Sequence, residues 1–151
     1  MPDRLIILDG YNLILRTPAL KPGDGRTLSE SRDKLVNLLS WGFGGANARM
    51  VVVFDGAEMA GAEHGEERGG RVEIRFSRPP QKADDLIREL VEAEMRHTER
   101  LTVVTSDLEV ARHARAMGAD IALADLFLAS VLDPASANQT PEKPASISKR
   151  E

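Results

Sequence analysis

The chain of 151 residues contains no cysteine. This absence excludes a disulfide framework, a thiolate metal site and a cysteine nucleophile. Histidine is scarce as well, and the three histidines, His64, His97 and His113, do not have the spacing of metal ligands. Carboxylates are therefore the side chains through which this protein could hold a metal ion.

Long hydrophobic runs and an excess of positive charge are also missing. No apolar stretch approaches the roughly 20 residues that a membrane helix needs, and Leu5–Leu8 is too short for the core of a signal peptide. We therefore expect no membrane partner and a cytoplasmic location. The formal net charge is −4. A nucleic acid would have to be bound by a local patch, because proteins that coat nucleic acids are usually basic overall.

The glycine motifs that bind nucleotide phosphates are absent too. No G-x-x-x-x-G-K-[ST] occurs, and GFGGAN, which begins at Gly42, lacks the third glycine of a dinucleotide-binding fingerprint. No histidine is clearly placed to activate Ser77 or Ser106 as a nucleophile. These absences direct attention to the acidic residues.

Short continuous apolar runs predict buried strands at Leu5–Leu8, Met50–Phe54, Leu101–Val104 and Ile121–Leu123, and alternation predicts a further strand over Val72–Phe76. Helices are predicted from the capping box at Thr27 to the glycines near 42–45, and over 83–97, 109–117 and 126–132. Residues 13–26 are predicted to be a linker and residues 57–70 a mobile loop. Strands that alternate with helices predict a three-layer α/β fold, with a mostly parallel central sheet and helices on both faces.

The composition changes near the C-terminal end of the chain. Beyond Asp133 the sequence is rich in proline, alanine, serine, asparagine and glutamine. Such a segment lacks the apolar residues that a packed core needs. We therefore predict one domain over residues 1–133, followed by a disordered tail over 134–151.

Three predicted strands have an acid at or just beyond their exit. The sequences are IILDG, VVFDG and VVTSD, so the acids are Asp9, Asp55 and Asp107. Ligands of an open parallel sheet bind outside the carboxyl ends of its strands, so we expect these acids at one edge. The stretch KADDLI adds Asp84 and Asp85 in the first turn of a helix.

Each of these acids also has a purely structural interpretation. Aspartate and glycine are common after strands because they form turns and cap helices, and Asp84 and Asp85 would suit the positive end of a helix. Converging carboxylates repel one another, however, and some would have raised pKa values unless a cation offset the charge. We expect Mg²⁺ or Mn²⁺, because a hard divalent cation prefers oxygen ligands and can neutralise a phosphodiester.

The four stretches ILDGYNLI, VVFDG, KADDLI and VVTSD resemble the YacP-like branch of the NYN domains, which are relatives of PIN and FLAP-type nucleases. The resemblance covers about residues 4–132, with the motifs in the family's order and spacing. It implies a PIN-like fold and metal-dependent cleavage of RNA. By motif match, Asp9, Asp84, Asp85 and Asp107 are catalytic and metal-binding acids. Asp55 stands at a fifth metal-binding position that could also be a turn.

The resemblance assigns roles to two further residues, Asn12 and Arg32, and three others are candidates from their positions in the sequence. Asn12 would orient the site or the RNA, and Arg32 would contact a phosphate or anchor a carboxylate. Tyr11 could stack on a base or pack beneath the sheet edge. Lys82 belongs to the basic residues that flank the motifs and could form the local patch. Asp125, which follows another strand, is a further candidate or a helix cap.

Three functions follow from these residues. The first is an Mg²⁺- or Mn²⁺-dependent endoribonuclease, for which the resemblance implies products with a 3′-hydroxyl and a 5′-phosphate. The second is a non-catalytic module of the same fold that binds RNA, a ribosome or a protein. The third is a phosphatase of doubly wound fold. A haloacid-dehalogenase-type phosphatase would require an acid where Tyr11 stands, which counts against this possibility.

Overall fold

The computed structural model describes residues 4–23, 25, 27–43, 48–57, 66–69 and 72–132. The predicted tail and its boundary at residue 133 lie outside these ranges. The elements are β1 (Arg4–Asp9), α1 (Gly10–Arg16), a 3₁₀ turn (Pro18–Leu20), α2 (Leu28–Phe43), β2 (Arg49–Phe54), β3 (Glu66–Gly69), β4 (Val72–Phe76), α3 (Ala83–Glu94), β5 (Arg100–Val104), α4 (Leu108–Ala116), β6 (Asp120–Ala122) and α5 (Ala124–Leu132).

The strands form one six-stranded sheet with the order β3-β4-β2-β1-β5-β6. Five strands are parallel, and only β3 runs antiparallel, to β4. β1 lies between β2 and β5, and its residues Leu5–Leu8 are almost completely buried. A continuous apolar run is the sequence expected for a strand that is covered on both faces. The predicted α/β fold with a mostly parallel sheet is therefore confirmed.

Alternate side chains of β1 enter two separate cores. Ile6 and Leu8 belong to the core beneath α1, α2 and α5, whereas Leu5 and Ile7 belong to the core beneath α3 and α4. Helices thus cover both faces of the sheet, as predicted. Within the described part of the chain, no helix is long and apolar enough to cross a membrane.

The capping box that predicts the start of α2 is formed. The Thr27 backbone amide donates to Glu30 Oε1 at 2.8 Å, and the Glu30 amide donates to Thr27 Oγ1 at 3.1 Å. These two bonds satisfy donors that the first turn of a helix leaves without intrahelical partners. The helix continues to Phe43, close to the predicted glycine-rich end.

The predicted linker over residues 13–26 is wrong in its first part, because α1 begins directly after β1. Its side chains Leu13 and Ile14 are fully buried, and the helix packs against α2 and α5. A helix of seven residues is too short to be stable alone or to show a clear period, so packing holds it. The prolines and glycines after residue 17 indicate a loop only from there onward.

Two other boundaries differ from the prediction. Residues 66–69 of the predicted loop form β3, which pairs with β4 from Glu66↔Arg75 to Gly69↔Val72, while residues 58–65 and 70 lie outside the described part. The helix predicted to reach His97 ends at Glu94, where a turn follows. Polar β3 has little strand propensity of its own, so the pairing with β4 determines it.

Candidate active site at the carboxyl edge of the sheet

The carboxyl ends of the parallel strands bring two of the predicted motifs together. Asp9 is the last residue of β1, and its neighbour Leu8 lies opposite Val104, the last residue of β5. The stretch VVTSD therefore leaves the sheet directly beside Asp9. The order of the strands, rather than proximity along the chain, creates this contact.

Thr105 connects the acids of the two motifs. Its Oγ1 donates to Asp9 Oδ2 at 3.1 Å and accepts the backbone amide of Asp107 at 3.0 Å. Thr105 is fully buried, so the hydroxyl has few alternative partners. One side chain thus fixes both the orientation of the Asp9 carboxylate and the path of the chain toward Asp107.

Asp9 is an unusually placed carboxyl group. It is only 9% exposed, and burial raises its pKa from the usual 3.8 to about 6. The bond from Thr105 and the nearby amide of Asn12 lower the pKa, while the charges of Asp107 and Asp84 raise it. The Asn12 amide does not reach the geometry of a helix-capping bond. The charges of Asp107 and Asp84 therefore act on the Asp9 carboxyl group at this edge.

Asp107 has a structural task as well. Its Oδ1 accepts the backbone amides of Glu109 at 2.9 Å and Val110 at 3.4 Å, and so caps α4. Both bonds use the same oxygen, which leaves Oδ2 available for another partner. The sequence offers two interpretations of Asp107, a helix cap and a metal ligand, and these contacts are compatible with both.

Asp84 and Asp85 differ in how far they are engaged. Asp85 Oδ2 accepts the backbone amide of Lys82 at 3.0 Å, and its Oδ1 lies 3.6 Å from Arg88. Asp84 makes one ion pair, through Oδ2 to Arg88 at 3.4 Å. Both oxygens of Asp85 thus stabilise the start of α3, whereas Asp84 also acts on Asp9. Of these two aspartates, Asp84 rather than Asp85 contributes to the raised pKa of the buried Asp9.

Asp55 is engaged in a local turn after β2. Its Oδ1 accepts the backbone amide of Ala57 at 2.9 Å, which is the hydrogen bond of an Asx-turn. Its charge is not among the causes of the raised pKa of Asp9. The turn that the sequence offers as an alternative for Asp55 is present. The metal-binding role of Asp55 stays a prediction.

A second set of contacts extends the edge toward β6. The side-chain oxygen of Asn12 accepts the backbone amide of Ser106, and the Ser106 hydroxyl donates to Asp125 Oδ1 at 3.1 Å. Asp125 also lies 3.7 Å from Arg16 in an ion pair that is half exposed. Asn12 therefore orients the loop after β5, and Asp125 is tied to that loop rather than to Asp9.

The other predicted substrate-binding residues occupy different positions. Tyr11 packs edge-to-face on Phe54, with ring centroids 6.0 Å apart. Arg32 lies over the ring of Phe76 at 5.4 Å and donates to Ser29, with only 15% of its side chain exposed. Tyr11 and Arg32 are thus built into the packing below the edge. Lys82 is exposed beside the acids. Their roles in binding RNA stay predictions.

The donor chemistry of this edge fits a hard divalent cation, because it offers carboxylate oxygens, the ligands that such an ion prefers. The geometry is less complete: among the described residues, no three acidic or histidine side chains are grouped closely enough to hold an ion. Asp84 is paired with Arg88 and Asp107 caps α4. Asp9, Asp84 and Asp107 are the residues that would hold a cation if they converged.

Sequence reasoning missed the role of Thr105 and the contacts of Arg88. A threonine at the end of an apolar strand is a weak signal, because threonine is common in strands. The spacing of Arg88 from Asp84 and Asp85, four and three residues, does indicate helical ion pairs. That signal could have been used at the sequence level.

Thr105→Val should raise the pKa of Asp9 above 6, because valine keeps the shape but removes the donor to the carboxylate. It also leaves the Asp107 amide without its acceptor, at a cost of about 1–3 kcal/mol in the free energy of unfolding. An NMR pH titration of the Asp9 carboxyl carbon measures the first effect. Thr102→Val, in the strand β5 that leads to Thr105, is the control and should leave this pKa unchanged. An unchanged pKa in Thr105→Val would contradict the arrangement.

The fold and the site define a three-layer α/β domain with a cluster of acids at the carboxyl edge of its sheet. Comparison with known families matches residues 6–150 to the YacP-like NYN domain. The chain belongs to the YacP-like NYN domain family. The nuclease-like fold of this family indicates a function connected with RNA.

Individual relatives support this assignment. The Bacillus subtilis (strain 168) protein YacP is 31% identical over 103 residues, which cover 68% of this chain and 60% of that protein. The crystal structure of Rae1 (YacP) from Bacillus subtilis matches with a TM-score of 0.72 and 28% identity, covering 93% of this chain and 83% of that chain. The crystal structure of a single-residue mutant of Rae1 matches with a TM-score of 0.73 and 26% identity, covering 89% of this chain and 78% of that chain. The match thus spans less than two thirds of the curated relative's length.

Proposed function

We propose that this protein is a divalent-cation-dependent endoribonuclease that hydrolyses RNA phosphodiester bonds at the carboxyl edge of its sheet. The observation that carries the proposal is Asp9, a buried carboxyl group whose pKa is raised to about 6 by burial and by the charges of Asp107 and Asp84. A strongly perturbed acid at the edge where open α/β sheets bind their ligands is typical of an active site.

The proposed site gives its acids different tasks. Asp9 ends β1, which lies between β2 and β5, and its carboxylate is oriented by Thr105. Asp107 and Asp84 belong to the N-terminal ends of α4 and α3, which pack on the same face of the sheet. Bound Mg²⁺ or Mn²⁺ would supply a Lewis acid for the phosphoryl oxygen and lower the pKa of a water molecule. Asp9, Asp84 and Asp107 would hold that ion.

The RNA itself would be bound by cations at the rim of this edge. Lys82 and Arg78 are exposed on the segment between β4 and α3, and neither forms an ion pair with an acid that the structure describes. They are therefore available to phosphates, which dominate the affinity of proteins for nucleic acids. A local arrangement of this kind is what a chain of net charge −4 requires.

Cleavage of end-labelled single-stranded and structured RNA in Mn²⁺ or Mg²⁺ tests the proposal. Asp9→Asn and Asp84→Asn should each lower the rate more than about 100-fold, since even outer partners of a metal site are worth about 10–100-fold. EDTA should abolish cleavage. Asp120→Asn is a matched control, because Asp120 begins β6 at the opposite edge and pairs with Arg100. Cleavage in EDTA, or an active Asp9→Asn protein, would refute a cation-dependent nuclease.

A second candidate is a module of the same fold that binds RNA or the ribosome without cutting. It is favoured by the absence of a group of three metal-ligating side chains among the described residues and by the structural bonds of Asp55, Asp85 and Asp107. RNA that binds tightly and stays intact for hours in Mn²⁺ would support this candidate against the nuclease.

A further inference from the structure

Arg88 is the cation that faces the acids of α3. Its Nη1 lies 3.4 Å from Asp84 Oδ2 and 3.6 Å from Asp85 Oδ1, and its Nη2 lies 3.9 Å from Oε1 of Glu109 in α4. Glu109 stands two residues after Asp107. One guanidinium group therefore connects the two helix starts that contribute the outer acids of the site.

The pair between Arg88 and Asp84 is partly shielded from water. The two side chains are 29% and 35% exposed, so their attraction is stronger than that of a fully solvated pair. Asp84 is also one of the charges that raise the pKa of Asp9. Arg88 thus neutralises an acid on which a cation at this edge would depend.

The single negative charge of Asp84 cannot neutralise both Arg88 and a divalent ion. A divalent ion at Asp84 must either displace Arg88 from Oδ2 or bind Oδ1 beside the positively charged guanidinium, and either cost reduces the apparent affinity for the ion. The guanidinium could still pair with Asp85 through Nη1 and with Glu109 through Nη2. It would therefore remain in place as a repulsive charge near the bound ion.

We propose that Arg88 is a built-in counter-charge that competes with the divalent cation for Asp84 and so limits how tightly the site binds it. This inference rests on the proposed function, because it concerns the cation of the same site. Removing the positive charge should therefore tighten cation binding.

The test is a titration of Mn²⁺ into the full chain, with free Mn²⁺ measured by electron paramagnetic resonance. Arg88→Gln should lower the Kd about five-fold, the factor that corresponds to a partly exposed ion pair. Arg88→Lys keeps the charge and should stay within about two-fold of the natural chain. Arg112→Gln, an exposed arginine of α4, controls for the loss of one positive charge and should change nothing. Circular dichroism checks that each variant is folded.

The outcomes separate this inference from the nuclease proposal. Equal or weaker Mn²⁺ binding by Arg88→Gln overturns the counter-charge, even if the natural chain cleaves RNA. Tighter binding by Arg88→Gln together with intact RNA supports the counter-charge and refutes the nuclease. If neither the natural chain nor Arg88→Gln binds Mn²⁺, both proposals fail.

Discussion

Relative to the natural chain, Asp9→Asn is expected to become more stable as the pH rises, by about 2.5 kcal/mol between pH 4 and pH 8 in the metal-free protein. The physical reason is that burial disfavours the ionised form of the Asp9 carboxyl group and raises its pKa from 3.8 to about 6. A shift of this size corresponds to about 3 kcal/mol between the protonated and ionised forms. Asparagine has no charge to bury and can still accept the bond from Thr105.

The sign of the effect follows from the direction of the shift. Because the folded protein holds the Asp9 proton more tightly than the unfolded chain, Asp9 contributes stability that is fully present below pH 3.8. That contribution is lost as the pH rises toward about 6 and stays lost above it. The natural chain therefore carries a penalty at pH 8 that Asp9→Asn lacks.

Urea unfolding at several pH values between 4 and 8, in the presence of EDTA, measures this difference. Asp120→Asn is the control, since Asp120 is exposed at the opposite edge of the sheet. Its difference from the natural chain should vary little over the same range. A constant difference for Asp9→Asn across this range would show that Asp9 ionises as easily in the folded protein as in the unfolded one.

Gly56→Ala is expected to destabilise the protein by about 3 kcal/mol, at the upper end of the usual cost of overpacking. A Cβ atom at Gly56 would lie 2.0 Å from the backbone oxygen of Ser77. That oxygen cannot move freely, because the Ser77 amide donates to the Phe54 carbonyl at 2.9 Å and the Ser77 hydroxyl accepts the Gly56 amide at 3.1 Å. The exits of β2 and β4 would have to separate to admit the methyl group.

Thermal and urea unfolding of Gly56→Ala measure the loss, and Ser77→Ala separates its two possible causes. Ser77→Ala removes the hydroxyl but keeps the carbonyl, so it should cost about 1 kcal/mol, the usual value of one hydrogen bond. If Gly56→Ala costs no more than Ser77→Ala, the close approach of the two loops is not what requires glycine.

The features that the sequence predicts well are those that depend on residues close together along the chain. The apolar run Leu5–Leu8 predicts the central strand, and Thr27 with Glu30 predicts the start of α2, because each pattern is complete within a few residues. α1 and β3 were missed because packing and strand pairing hold them. Neither element has a pattern of its own that is strong enough to be recognised.

The same distinction applies to the candidate site. The acids at the exits of β1 and β5 could be assigned to one edge from the parallel sheet alone, and the charges of Asp107 and Asp84 do act on Asp9 there. The bond between Thr105 and Asp9 joins residues 96 positions apart. It depends on β5 lying next to β1 in one particular register. Which oxygen of each acid is engaged, and by what, can be determined only from the folded structure.

The order of the strands also determines when during biosynthesis the site comes into existence. The ribosome makes Asp9 long before it makes β5, the strand that must lie beside Asp9 to deliver Thr105 and Asp107. Since folding follows synthesis from the N-terminus, a growing polypeptide has no assembled site until β5 has emerged. The candidate site at the carboxyl edge therefore forms only after β5 has been made and has paired with β1.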